Sequence, residues 1–487
     1  MDKLKALTPG DVWMYFEEIC TIPRPSKKEE KIIAYLLEFG SKHNLVTRRD
    51  KIGNVVIKKQ ATPGMENRKT VVLQSHVDMV CEKNATTDHD FDKDPIKPFI
   101  DGNWVKAEGT TLGADDGIGI ASQLAVLTSK DIPHGPIECL FTVDEESGLT
   151  GALELEPGFI DGKILLNLDS EDEGELFIGC AGGMDTLATM YYTPEKPGSN
   201  NMALQISVTG LRGGHSGDEI EKGLGNSNKI LNRLLWQGTD LFNLRLSNFN
   251  GGNLRNAIPR EAFAIVTLPA DKKEAFIEYA DKFAVTVKEE LSVTEPGLTL
   301  EVSETEMPDT IIDSKAQFNL LNALYACPHG VIAWSQDIKG LVETSTNLAS
   351  VKFIENNQIF ITTSQRSSVE SSKRDIGNMV SSVFRLADAE VKQSNGYPGW
   401  TPDTNSEILQ ITESAYKKLF SQQPVVRAIH AGLECGLFLQ KYPELDMISF
   451  GPTIKGAHSP DERLDIETTQ KFWKLLLEVL NNIPDKK

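Results

Sequence analysis

Side chains that can bind a metal ion follow four predicted strands, at or shortly after the point where each strand ends. They are His76 and Asp78 after a strand over 70–74, Asp144, Glu145 and Glu146 after 137–143, Asp169 after 164–168, and His458 beyond 447–450. A further carboxylate, Asp115, lies at the start of a helix predicted over 117–128. Because ligand sites in open α/β sheets form outside the carboxyl ends of the strands, we expect these side chains to converge.

Each of these residues also has a structural interpretation when it is taken alone. A histidine at a strand end can be structural, the acidic runs 144–146 and 169–173 can be solvated turns, and Asp115 can cap its helix. The acidic stretch 88–90 we assign to solvent. The coincidence of five ligand-type residues at element ends favours a site. Two histidines with three carboxylates suit zinc, manganese or cobalt and exclude a structural thiolate site.

The predicted elements divide the chain into a discontinuous domain and an insertion. Up to about residue 185, short strands alternate with helices, which is typical of an α/β domain with a largely parallel sheet. Loop-forming stretches at 192–201 and 395–402 flank a region of α+β pattern, predicted as two halves packed together. After them the α/β pattern returns. We therefore predict one α/β domain over 1–188 and 399–487, interrupted by an α+β domain over 189–398.

Three helix starts are predicted from capping residues and from hydrophobic periodicity. Asp11 is suited to cap a helix over 12–19, and Ser26 is suited to cap a longer amphipathic helix over 27–43. In the inserted region a helix is predicted over 218–237.

Composition and charge exclude several classes of protein. The 487 residues carry 50 Lys and Arg against 70 Asp and Glu, a net charge of −20, with 40% hydrophobic residues. This is a globular composition, and the net negative charge argues against nucleic acid and anionic membranes as partners, because both require a clustered basic face. The sequence has no apolar run long enough to span a bilayer, no signal-peptide core at residues 1–5 and no C-x-x-C pair among its six cysteines. We expect a soluble, cytoplasmic protein.

Other catalytic and binding motifs are missing from the sequence. There is no G-x-x-x-x-G-K-[ST] loop, and the glycines at 117–119 do not continue into a G-x-G-x-x-G fingerprint. Nucleotide binding is therefore unsupported. A serine hydrolase is also disfavoured, because no G-x-S-x-G elbow is present.

The motifs around the candidate ligands resemble those of the dinuclear-metal aminoacylase/peptidase family, and more closely its aminoacyl-histidine dipeptidase branch. The resemblance extends nearly from end to end, and no metal or catalytic position departs from the pattern. The motifs that carry it are 76–78 (HVD), 113–117 (GADDG), 144–148 (DEESG), 167–169 (NLD), 212–217 (RGGHSG), 252–259 (GNLRNAIP), 428–436 (AIHAGLECG) and 457–459 (AHS).

The resemblance implies a zinc-exopeptidase-like catalytic domain with a mixed, largely parallel sheet, an inserted α+β lid domain and two divalent ions per chain. Zinc is expected, with cobalt or manganese as alternatives. The resemblance implies that His76 and Asp169 bind one ion and that Glu146 and His458 bind the other. It implies that Asp115 bridges both ions and that the peptide bond after it is cis. Asp78 would orient His76, and Glu145 would be the general base. A water shared by two divalent ions loses its proton near neutral pH, and Glu145 would accept that proton.

The resemblance also assigns His215 and Asn256 to the substrate, and the residue types suggest three further positions. His215, on a glycine-rich loop, would donate to the developing oxyanion, after domain closure or from a partner subunit, and Asn256 would help to hold the substrate. Arg366 follows a predicted strand and is a candidate clamp for the substrate carboxylate, since a guanidinium binds a carboxylate bidentately; a surface arginine is the competing interpretation. Gly432 and Glu434 lie in a segment where backbone amides can approach the same carboxylate.

We therefore expect a metal-dependent dipeptidase that hydrolyses unblocked dipeptides, including X-His. The nearest alternative is an N-acyl amino acid deacylase or carboxypeptidase of the same family, which the metal motifs alone do not distinguish. A non-catalytic metal or peptide binder is a second alternative, although Glu145 is present, and a dinuclear phosphoesterase is a third. The partners expected are a dipeptide substrate and a second copy of the chain in a homodimer.

Overall fold

The structure, a computed structural model that describes residues 4–486, divides into two compact units. The first unit comprises the residues up to Gly179, Pro402–Ala428 and the residues from Leu433 onward. The second unit comprises Cys180–Thr401 together with the short segment Ile429–Gly432. The predicted divisions at 188 and 398 lie close to those at 179 and 401, whereas the segment 429–432 is not anticipated by the sequence.

The α-helices of residues 4–486 are α1 (Gly10–Ile19), α2 (Glu30–Lys42), α3 (Ala114–Thr128), α4 (Glu145–Gly148), α5 (Thr150–Glu154), α6 (Ser227–Phe242), α7 (Lys273–Glu290), α8 (Ser314–Ala326), α9 (Glu370–Leu386), α10 (Glu407–Phe420), α11 (Glu434–Lys441) and α12 (Ile466–Asn481).

The strands of the same residues are β1 (Val46–Arg49), β2 (Val55–Lys59), β3 (Val71–His76), β4 (Pro98–Asp101), β5 (Trp104–Ala107), β6 (Ile137–Thr142), β7 (Ile164–Asn167), β8 (Glu175–Cys180), β9 (Gly182–Tyr191), β10 (Pro194–Glu195), β11 (Asn201–Thr209), β12 (Gly214–His215), β13 (Arg245–Gly251), β14 (Ala257–Ile258), β15 (Ala262–Pro269), β16 (Thr299–Glu304), β17 (Ile311–Ile312), β18 (Gly330–Trp334), β19 (Val342–Ile354), β20 (Gln358–Ser367), β21 (Glu390–Gln393), β22 (Val425–Ile429), β23 (Asp446–Ser449), β24 (Ile454–Lys455) and β25 (Arg463–Asp465).

The first unit is built on an eight-stranded mixed sheet with the order β1-β2-β6-β3-β7-β23-β8-β22. Its central strands β6, β3, β7 and β23 are parallel neighbours, while β1, β2 and β8 pair antiparallel beside them. Every residue of β3, β6 and β7 is buried, as expected for strands that are covered on both faces. The predicted α/β class with a mixed sheet is confirmed, with its parallel strands at the centre.

The second unit is an α+β unit on one continuous antiparallel sheet. The strand order is β16-β11-β15-β13-β19-β20-β9-β21, and β18 also pairs with β19. The two predicted halves therefore share a sheet, because β13 pairs with β19 through Asn250 opposite Lys352 and Gly251 opposite Val351. Residues of α6, α7, α8 and α9 pack with the sheet in one cluster of buried apolar side chains.

Two predicted helix starts near the N-terminus differ from the structure. Helix α1 begins at Gly10, so Asp11 lies in its first turn rather than at its cap. Helix α2 begins at Glu30, and the hydroxyl of Ser26 donates to Oδ2 of Asp78 at 2.8 Å instead of capping the helix. Ser26 therefore makes a tertiary hydrogen bond to Asp78 and does not cap α2.

The helix predicted over 218–237 is also wrong at its start. Residues Ile220–Lys222 form a short 3-10 turn that ends at Gly223, whose φ is 66°. Helix α6 starts only at Ser227, because the side chain of Asn226 accepts a hydrogen bond from the backbone N–H of Lys229 at 3.1 Å. Such an N-cap satisfies one of the free amides of the first turn.

Among residues 4–486, no helix is both long enough and apolar enough to cross a lipid bilayer.

Candidate functional site

Strand ends and tight loops of the first unit place the five predicted metal ligands. His76 is the last residue of β3, and Asp169 follows β7 by two residues. Glu146 lies in the single-turn helix α4, directly after the turn at Asp144 where φ is 50°. His458, with φ of 62°, lies in the loop that joins β24 to β25. Asp115 lies at the non-helical start of α3.

The first ligand group consists of His76, Asp115 and Asp169. Nε2 of His76 lies 3.0 Å from Oδ1 of Asp115 and 3.3 Å from Oδ1 of Asp169. The imidazole is 1% exposed, so it presents this nitrogen to the two carboxylates from a buried position.

The second ligand group consists of His458, Asp115 and Glu146. Nε2 of His458 lies 3.2 Å from Oδ2 of Asp115 and 3.1 Å from Oε2 of Glu146. Asp115 thus gives one oxygen to each group. The Asp115–Asp116 peptide is cis, as the resemblance implies.

The donor atoms of these two groups fit two divalent ions. Within each group, one ligand atom from every residue lies within 4.8 Å of the others. Oε1 of Glu146 is buried and has no hydrogen-bond partner among the described residues, which is costly for a carboxylate oxygen unless a cation satisfies it. Imidazole nitrogens and carboxylate oxygens together are ligands for zinc, cobalt or manganese.

Asp78 is buried behind His76 and joins the imidazole to the turn that carries Glu145 and Glu146. Its Oδ1 lies 3.4 Å from Nδ1 of His76 and accepts from the backbone N–H of Glu145 at 3.0 Å. Its Oδ2 accepts from the N–H of Glu146 at 3.2 Å. One carboxylate therefore contacts the candidate ligand His76 and the backbone of the candidate ligand Glu146, as residues that orient metal ligands do.

Glu145 belongs to neither ligand group, although its neighbour Glu146 does. Burial raises the pKa of the Glu145 carboxyl well above its usual range, and the nearby charges of Asp169, Glu434 and Glu146 raise it further. A carboxylate that holds a proton more readily is a better general base and a usable general acid.

Glu434, a predicted substrate residue, lies in the first unit with its side chain buried. Its Oε2 accepts from Nε2 of Gln74 at 2.7 Å and from Oγ1 of Thr142 at 2.8 Å, on strands β3 and β6. Burial raises the pKa of Glu434 to about 7. The substrate role assigned to Glu434 stays a prediction.

In the second unit, His215 is the last residue of β12, and Asn256 directly precedes β14, the strand that pairs with β12. Strands β12 and β14 pair with Gly214 opposite Ile258 and His215 opposite Ala257. Nδ1 of His215 lies 3.1 Å from Oδ2 of Asp218. Both predicted residues line a cavity of about 550 Å³ within this unit.

Arg366, at the end of β20, is buried rather than exposed on the surface. The residue is only 7% exposed, and its Nη1 donates to the hydroxyl of Tyr397 at 3.0 Å. Nη2 lies 3.5 Å from Nε2 of His215, and Nε has no hydrogen-bond partner within residues 4–486. A buried guanidinium with unused donors is suited to bind an anion, and the clamp role of Arg366 stays a prediction.

Gly432 lies against the ring of Tyr397, whose hydroxyl accepts the hydrogen bond from Arg366. A Cβ at Gly432 would come within 2.8 Å of that ring, and a Cβ at Gly183 within 2.7 Å of it. Lys373 donates to the carbonyl of Tyr397 at 2.6 Å, which fixes the loop from the other side. Glycine is required at both positions so that the tyrosine can reach Arg366.

Sequence reasoning missed Tyr397 and Glu462. Tyr397 lies in the loop-forming stretch 395–402, where a tyrosine among glycines and prolines is the signal that could have found it. Glu462 follows His458 by four residues and resembles an ordinary surface charge in sequence, yet it is 2% exposed.

Comparisons with known proteins identify the family of the chain. The profile of Peptidase family M20/M25/M40 matches residues 72–482. The chain is 45% identical to the cytosol non-specific dipeptidase of Escherichia coli (strain K12) over 486 residues, covering 100% of both chains.

Solved structures give the same result. The crystal structure of aminoacylhistidine dipeptidase from Vibrio alginolyticus has a TM-score of 0.94 and 47% identity, and covers 100% of this chain and 99% of that one. A tripeptidase from Staphylococcus aureus, at a TM-score of 0.57, 17% identity and 98% and 99% coverage, shares the fold alone. The resemblance that the motifs indicate is confirmed, and the chain belongs to peptidase family M20/M25/M40.

Proposed function

We propose that this chain is a metal-dependent dipeptidase that hydrolyses unblocked dipeptides, X-His among them. The observation that carries the proposal is the pair of ligand groups that share Asp115. The full-length identity to a protein named a cytosol non-specific dipeptidase supports the substrate class. The same relative supports a cytoplasmic location.

The residues of the first unit supply the acid–base chemistry. Divalent ions bound by the two ligand groups would lower the pKa of a water and polarise the scissile carbonyl. Glu145 accepts the proton of the attacking water and passes it to the leaving amine as the C–N bond breaks. Asp78 keeps His76 oriented and holds the backbone of Glu145 at 3.0 Å.

The residues of the second unit recognise the substrate. His215 donates a hydrogen bond to the carbonyl oxygen as negative charge develops on it. Asn256 holds the substrate, and Arg366 binds its terminal carboxylate, with Tyr397 fixing one end of the guanidinium. A free carboxylate is thereby required, which excludes substrates that are blocked at the C-terminus.

A comparison of an unblocked X-His dipeptide with its C-terminal amide tests this proposal. Hydrogen bonds to a charged group contribute about 1.5–3 kcal/mol, or roughly 10–100-fold in affinity at 1.4 kcal/mol per factor of ten. We expect wild-type protein to prefer the free dipeptide by about that factor, mainly in KM. The Arg366→Met variant should lose the preference, and Tyr397→Phe should keep part of it.

The matched control is Arg374→Met on the exposed side of α9, which should behave as wild type. Equal KM values of the wild type for the free and amidated dipeptides would rule out the carboxylate clamp. Turnover of N-acylated amino acids without turnover of dipeptides would instead establish the deacylase alternative.

Zinc as the resident metal and a homodimer as the assembly complete the proposal. The mixture of imidazole and carboxylate donors supports zinc, with cobalt or manganese as substitutes. The family resemblance supports the homodimer. Metal analysis of the purified protein identifies the bound metal, and light scattering measures the molar mass of the assembly.

A further inference from the structure

The carboxylate of Glu462 binds four consecutive backbone amides at the start of α3. Oε2 accepts from the N–H of Leu112 at 2.7 Å and of Gly113 at 2.9 Å. Oε1 accepts from the N–H of Ala114 at 2.7 Å and of Asp115 at 3.4 Å. The last of these amides belongs to the residue that is common to both ligand groups.

Without the carboxylate of Glu462, the backbone amides of residues 112–115 would lack this hydrogen-bond acceptor. The amides at the start of a helix lack partners within it, and a buried amide without an acceptor costs about 1–3 kcal/mol. Gly113, with φ of 68°, turns the chain so that its amide faces Glu462, while its carbonyl accepts from Nη2 of Arg24 at 2.5 Å. The backbone that carries Asp115 is thus fixed from two sides.

Glu462 also belongs to the loop that carries His458. This loop runs from Gly456 to Glu462 between β24 and β25, and the N–H of Glu462 donates to the carbonyl of Ser459 at 3.0 Å. The side chain of Ser459 donates to the carbonyl of Gly456 at 2.7 Å. Glu462 therefore joins the loop of one ligand to the loop of another.

We propose that Glu462 is a positioning residue that fixes the distance between Asp115 and His458, and thereby sets the affinity of the second ligand group for its divalent ion. Glu462 binds no metal, because both of its oxygens are used by backbone amides. The inference rests on the proposed metal site and does not depend on the substrate. Replacing a residue that orients a metal ligand without binding the metal itself typically changes the metal affinity by about 10–100-fold.

Two variants and one control test this role. In Glu462→Gln the amino group would face two N–H donors, so two of the amides lose their acceptor. Glu462→Asp keeps the charge but is shorter, and should fall between Gln and wild type. The control is Glu138→Gln, since Glu138 is also buried and accepts from the amides of Asp161 and Gly162 at 2.7 and 2.9 Å, away from the ligands.

The readouts are the dissociation constants for Zn²⁺ from competition with a chromophoric chelator, the Co²⁺ absorption spectrum and the melting temperature of the metal-free protein. We expect Glu462→Gln to bind one Zn²⁺ about 10–100-fold more weakly, with an altered Co²⁺ spectrum, and excess metal to restore turnover. The control should keep wild-type metal affinity even if its melting temperature falls.

Wild-type affinity and spectrum in both Glu462 variants would overturn the inference, as would an equal loss of affinity in Glu138→Gln. If Glu462→Gln does not fold, the metal affinity of Glu462→Asp decides. Wild-type protein that binds no divalent ion would overturn the proposed function as well, so the two failures are distinguishable.

Discussion

Replacing Glu145 by glutamine will lower kcat on an unblocked dipeptide by about 10²–10⁴, the usual contribution of a positioned general base, while the metal content stays the same. Glutamine has the same shape but cannot accept the proton of the attacking water. Metal binding is preserved because Glu145 is in neither ligand group. The turn is also preserved, since its contact with Asp78 is made by the backbone N–H of residue 145.

Metal analysis and steady-state kinetics on the same preparation check this expectation. The matched control is Glu154→Gln, the same chemical change at an exposed position of α5, which should leave kcat unaltered. A Glu145→Gln protein that keeps kcat within a few-fold of wild type would remove Glu145 from the mechanism. One that loses metal would make it a ligand instead of a base.

Replacing Asp115 by asparagine will disturb both ligand groups at once. The carboxylate gives Oδ1 to the group of His76 and Oδ2 to that of His458, and asparagine offers only one oxygen and no charge. Lewis-acid stabilisation is worth several kcal/mol, and each 1.36 kcal/mol is a factor of ten in rate, so we expect kcat to fall by at least about 10²–10³.

The diagnostic comparison is with Asp169→Asn, which changes only one group. Metal analysis should show both ions weakened in Asp115→Asn and one ion weakened in Asp169→Asn, with Asp88→Asn, an exposed aspartate, unchanged. Equal metal loss from Asp115→Asn and Asp169→Asn, confined to a single ion, would contradict a shared Asp115.

The strand ends of the first unit could be predicted because they depend on local sequence. The apolar runs before His76, Glu145 and Asp169 form buried neighbouring strands, and parallel strands bring their carboxyl ends to one edge. The convergence of ligand types then follows from topology, without knowledge of any side-chain contact.

The contacts that support the site depend on residues far apart in sequence, and these could not be predicted. Glu462 reaches Leu112, Glu434 reaches Gln74, and Arg366 meets Tyr397. Before the fold is known, a lone glutamate or tyrosine in a polar loop has no feature that separates it from solvated residues. The correct start of this helix, in contrast, could have been predicted from the local sequence, since Asn226 and Ser227 carry a recognisable N-cap signal.

The central claim, a dipeptidase that requires two divalent ions, is tested most directly by titrating Zn²⁺ into the chelated wild-type protein while hydrolysis of an unblocked X-His dipeptide is followed. We predict no hydrolysis in the metal-free protein and a rise in rate that saturates at two equivalents of Zn²⁺ per chain. Full hydrolysis by the metal-free protein, or saturation at one equivalent, would contradict the account.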